Sequence, residues 1–160
     1  MLTSRLIQLI ETHAHSLTRE AVEDILTNER TRSFRQVPKE ELEPRVAALY
    51  HNVAKWVGGP NEEAVRQEYE YWGRMRFHQR IPLCEILYCV ILTKKHLRRF
   101  IREHALIGFP GDHVTHGELL PVELYAVQEL NYLVGDFFDQ ALYCLAQGYE
   151  AAARTSRTTV

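Results

Sequence analysis

Apolar residues in this chain recur three and four positions apart along nearly its whole length, and the alternate-residue pattern of a half-buried strand is almost absent. A chain written at that period buries its apolar stripe by packing helix on helix, so an all-α bundle is the fold class that follows. Leu6, Leu9, Ile10 and Leu17 share one face of a first helix that Thr3 or Ser4 can cap. The pattern restarts or continues from Thr18 through Val22, Ile25 and Leu26. Residues 30–37 are polar and end at Pro38, which reads as a linker. Residues 40–57 place Val46, Leu49, Tyr50, Val53 and Trp56 on one stripe, and Gly58-Gly59-Pro60 ends it.

Asn61 is a good cap for a helix over 62–79, acidic in its first turn and basic near its end, the polarity a helix dipole favours. Pro82 then imposes a bend before a helix over 83–105. Gly108, Pro110, Gly111 and Gly117 make 107–117 a loop, after which 120–153 reads as one long helix. The expected product is one domain over 1–153, a bundle of five to six helices with a long C-terminal helix, followed by a polar, frayed tail over 154–160. The last two helices are apolar around most of their circumference. They are either central or, in part, a dimer interface.

Several function classes drop out on composition. The 160 residues are 46% hydrophobic and 25% charged, which is a globular and not a disordered balance. A net charge of −2 lacks the basic surplus of a dedicated nucleic-acid binder. Residues 1–15 contain Glu11, His13 and His15 and no small-residue cleavage site, unlike a signal peptide, and the longest apolar run, 86–92, is too short to span a bilayer. Cys84, Cys89 and Cys144 form no CxxC and sit in apolar stretches, which predicts buried, inert thiols in a reducing cytoplasm.

Eight histidines raise metal chemistry, but no glutamate has a histidine three residues later and there is no His-Glu-x-x-His. Asp112, His113, His116 and Glu118 gather four potential ligands in the loop, so His113 and His116 are weak metal candidates set against a plain solvated loop. His96 and His104 could share a helix face and offer a haem ligand, yet Lys94, Lys95, Arg98 and Arg99 surround His96 and point to a solvated basic face. No Gly-x-Ser-x-Gly elbow, activated cysteine or phosphate loop is present. Neither an enzyme nor a bound cofactor is expected.

The bend carries the most unusual chemistry. Arg74, Arg76 and Arg80 precede it, and with the basic run after Lys94 they form either a solvated positive surface or a docking patch. Glu85 lies inside Leu83-Cys84-Glu85-Ile86-Leu87 and needs a partner such as Arg80. Such a pair would either fix the bend or put a charge inside a ligand or signal pocket. Tyr69, Tyr71, Trp72 and Phe77 on one helix, with Tyr125, Tyr132 and Phe137 on the last, could line that pocket or pack the core. Arg80, Glu85 and Tyr132 are therefore the candidate ligand or signal residues.

The run Arg74-Met75-Arg76-Phe77-His78-Gln79-Arg80-Ile81-Pro82-Leu83-Cys84-Glu85-Ile86-Leu87, continued by Leu97, Phe100 and Ile101, resembles the N-terminal domain of RsbR-type RsbT co-antagonists. Phe137-Phe138-Asp139-x-Ala141 and Gly148-Tyr149-Glu150 are similar to versions of that domain found beside histidine kinases. The resemblance implies an all-α sensory domain for signal transduction in stress responses, in some members related to a globin without haem. It also implies a homodimer that passes its signal to an output module. No anti-sigma-antagonist or kinase module follows here, so a separate signalling protein is the expected partner, with no nucleic acid or membrane. The alternative is a histidine-dependent metal- or haem-binding helical protein.

Overall fold

The computed structural model describes residues 2–104 and 116–159, and these hold five α-helices and one 3-10 segment without a strand. Helix α1 (Leu2–Thr27) is continuous. Thr18 does not start a new helix, because its hydroxyl donates to the Ala14 carbonyl one turn back.

The stretch expected as a linker is a 3-10 segment, Glu29–Gln36. Asn28 caps it by accepting the Arg30 N–H at 3.0 Å, and a kink at Thr31 (φ −129°) divides it. The Thr31 hydroxyl donates to Ile25 O at 2.6 Å, and Phe34 is fully buried. A polar composition hides this order, since two inward side chains anchor all eight residues.

Helix α2 (Lys39–Gly58) follows Pro38, and α3 (Glu62–His78) starts at the Asn61 cap, whose side chain accepts from Ala64 N–H. Helix α4 (Leu83–His104) and helix α5 (His116–Thr158) complete the bundle. The last helix runs on to Thr158, past the point where 154–160 reads as a frayed tail. Arg154 and Glu150 pair across one turn there, and threonine hydroxyls bond back to carbonyls four residues earlier. The predicted loop lies mostly outside the described residues.

Helix α3 packs along α5, and the two approach at glycines. A Cβ on Gly73 would overlap the Leu145 carbonyl oxygen, and one on Gly148 would overlap the Glu70 carbonyl oxygen. Only a residue without a side chain lets the backbones meet this closely. The core runs through the whole bundle: Ile25 of α1, Tyr50 of α2, Leu97 of α4 and Phe137 and Phe138 of α5 are all but sealed from solvent. The Tyr50 hydroxyl donates to Thr93 O at 3.2 Å and ties α2 to α4, while burial pushes its proton affinity well above the ordinary phenol value.

Candidate functional site

The turn between α3 and α4 is built as a helix stop. Ile81 N–H donates to Arg76 O and Arg80 N–H to Phe77 O, the paired bonds of a Schellman motif. Arg80 fills the position that glycine usually takes, at φ 59°, with its side chain exposed. Ile81 is fully buried, and Ile81 O accepts the Tyr149 hydroxyl at 2.9 Å, so α5 latches the turn. The Phe77 and Tyr149 rings meet edge to face at 5.3 Å beside it.

Glu85 does not pair with Arg80. Its carboxylate accepts the Ser33 backbone N–H at 2.8 Å and the Ser33 hydroxyl at 3.0 Å, which fastens the 3-10 segment to the first turn of α4. Tyr132 lies on the outer face of α5, 69% exposed. No hydrogen bond or ion pair among the described residues joins any two of Arg80, Glu85 and Tyr132. His113 lies outside the described residues, and His116 opens α5 with its side chain outside them.

One turn inward from Arg80, the structure forms a cavity of about 60 Å³ between α2, α3 and α4. Its walls are mostly apolar, with Val46 and Leu49 from α2, Trp72 from α3, and Ile86 and Val90 from α4. Arg45, Glu68 and Arg76 bring charge to this wall, and of the three Arg76 is the buried one, only 5% exposed. The sequence groups Arg76 with a positive surface. The fold turns it inward instead, because it shares the α3 phase of Val65, Tyr69 and Gly73, all of them buried. That register was the readable signal.

Arg76 Nη1 donates to Glu41 Oε1 at 3.2 Å and to Gln79 Oε1 at 2.6 Å, and Gln79 Nε2 also donates to Glu41. The guanidinium lies 5.4 Å from the Phe34 ring centre and 5.6 Å from that of Trp72. Arg45 covers Trp72 at 4.2 Å. Burial pulls Arg76 below its ordinary pKa, and Glu41 opposes that shift. Tyr69 borders the cavity and receives the Asn52 amide, which also bonds Glu68 at the rim. Cys89 is a further wall residue, its thiol pushed up to about 12 by burial.

Two expectations about reactive side chains change. Cys84 is exposed, on the outer face of α4. His96 turns inward from the basic run, with Nε2 2.9 Å from Asp24 Oδ2 of α1 and Nδ1 3.9 Å from Glu20 Oε2. Lys95, Arg98, Arg99 and Arg102 stay exposed. Among the described residues, no group of three or more His, Cys, Asp or Glu side chains is placed to hold a metal ion. No helix among them is long and apolar enough to cross a membrane.

Comparison with known proteins bears on this arrangement over most of the chain. The family model of the RsbT co-antagonist protein rsbRD N-terminal domain matches residues 15–158, from the middle of α1 to the end of α5. Comparison with curated proteins and with solved structures gives no match. The match includes the Schellman turn, the cavity and the glycine crossing, and the described residues form an all-helical bundle closed by a long helix. The chain belongs to the RsbT co-antagonist protein rsbRD N-terminal domain family, a family of signal-transduction sensor domains.

Proposed function

We propose that this domain is a non-enzymatic, cytoplasmic sensor that works as a homodimer and hands its signal to a separate protein. The observation that carries this reading is a stripe on α5. Tyr125, Tyr132 and Tyr143 are 68%, 69% and 62% exposed. At 100° per residue they fall within about 20° of one line along the helix. Large aromatic side chains aligned on one outer face are a costly use of surface unless a partner covers them. A two-fold dimer would present the same stripe from both copies. Three free cysteines fit a reducing compartment.

Signal transfer in this reading is a population shift. The α3–α4 turn, which contains Arg80 and leads into Glu85, is latched to α5 through Tyr149. A ligand that binds one packing of α4 on α5 better than another moves the tyrosine stripe, and equal affinity for both would move nothing. Sedimentation of the purified chain tests the reading. Wild type should sediment as a dimer at tens of micromolar, and Tyr132→Arg should shift it to monomer with unchanged helicity. A wild-type monomer across that range overturns dimer signalling.

A further inference from the structure

The Arg76 guanidinium is buried in an apolar wall with part of its donor capacity unused. Its hydrogen bonds leave through Nη1, and among the described residues Nε and Nη2 donate to nothing. Those two nitrogens form the edge of a guanidinium that matches a carboxylate, two parallel N–H donors to two oxygens. Neither nitrogen is sealed off, since the buried side-chain atoms without a partner among the described residues are Trp56 Nε1 and His96 Nδ1. This unpaired fork in the cavity wall is therefore open to an acceptor that enters from outside the protein.

Size and polarity restrict the acceptor. About 60 Å³ is well below the 300–1,000 Å³ of sites for cofactors and drug-sized ligands. It is also smaller than the roughly 150 Å³ cavity that takes benzene. Inorganic anions would leave the walls of Val46, Ile86 and Val90 against charged oxygen, whereas a short alkyl chain would cover them. Glu41 occupies only the Nη1 side and Glu68 is held by Asn52, so neither fills the free edge. Rigidity favours the site too, since Phe34 and Trp72 hold the guanidinium from its sides.

We propose that the cavity between α2, α3 and α4 is the input site of this sensor and binds a short-chain monocarboxylate of two or three carbons, its carboxylate on the Nε and Nη2 edge of Arg76. The inference rests on the sensor reading and adds the chemical class of the signal. Binding draws Trp72, Ile86 and Arg76 around one molecule, and these come from the two helices on either side of the latched turn.

Propionate is the probe, titrated into the full chain at constant ionic strength with chloride as the balancing anion. Trp72 borders the site, so indole emission and calorimetry both report binding. A ligand of five heavy atoms should bind with a Kd on the order of 1 mM. Propionamide, with the same shape and no charge, should bind at least about tenfold more weakly, and hexanoate should fail on length. Arg76→Lys keeps the charge and loses the fork, and should weaken propionate by about tenfold or more. Should that variant fail to fold, Val90→Leu narrows the cavity, leaves Arg76 in place, and should abolish binding with helicity retained. Equal binding of propionamide, undiminished binding by Val90→Leu, or no saturable propionate signal overturns the proposal. Loss of binding alongside a dimer that Tyr132→Arg still breaks removes the carboxylate and leaves the sensor reading standing. A wild-type monomer that binds propionate does the reverse.

Discussion

Ser33 gives Glu85 two donors where Arg30, over the Tyr88 ring, also joins the 3-10 segment to α4, and the Ser33–Glu85 pair is half-buried, where bonds to a carboxylate are stronger than neutral ones. Ser33→Ala removes the hydroxyl and spares the backbone N–H, so it should cost about 1 kcal/mol in urea unfolding. Glu85→Ala removes the acceptor of both and should cost about 2 kcal/mol. Arg80 offers the opposite sign. A side chain at φ 59° costs about 1 kcal/mol that glycine would not, so Arg80→Gly should raise the melting temperature despite the looser unfolded chain. Thiol chemistry separates the cysteines. At pH 8 one equivalent of iodoacetamide should react quickly, at Cys84, while Cys89 and Cys144 wait for unfolding, since burial raises both of their pKa values. The sequence marks Glu85 as a charge in need of a partner but cannot name Ser33, fifty-two residues away. Its reading of Arg76 fails for a related reason, because composition says cation and only the helix phase says interior.

At the scale of elements, the α3–α5 crossing depends on two glycines whose missing side chains face backbone atoms, and backbone cannot swing aside. Alanine would favour each helix by about 1 kcal/mol, yet the overlap should cost about 3 kcal/mol, so the second effect decides the sign. Gly73→Ala and Gly148→Ala should each lower stability by roughly 2 kcal/mol. The double variant should lose less than the sum, because one opened crossing relieves both overlaps. Equilibrium unfolding of the three variants checks this. The helices themselves were legible from periodicity, caps and the Pro82 bend, since those signals are local. The order of residues 29–36 and the helix beyond residue 153 were not. The first depends on Thr31 and Phe34 finding a core formed elsewhere, and the second on pairs across single turns in a polar stretch that composition alone reads as loose.

Across the whole molecule, the proposed ligand site and the proposed contact are separated: the cavity lies among α2, α3 and α4 and meets α5 at Leu145, and the tyrosine stripe faces outward on α5. Nitration should expose that division. In the assembled protein Tyr132 should be protected from tetranitromethane, while Tyr71, 46% exposed on α3, reacts; in the Tyr132→Arg monomer Tyr125 and Tyr143 should become reactive. Equal reactivity of the α5 tyrosines in both forms would place the dimer contact elsewhere. The glycine crossing also has a mechanical meaning. From Gly148 back to His116 is roughly 48 Å of helix, at about 1.5 Å per residue. If the crossing serves as a fulcrum, a tilt of about 5° sweeps the far end through roughly 4 Å, the reach of one side-chain contact. A molecule of two or three carbons cannot push anything that distance directly. Multiplied along α5 from that fulcrum, with the core around Phe137 and Phe138 yielding to it, a small displacement at the proposed site would become large enough for another protein to feel.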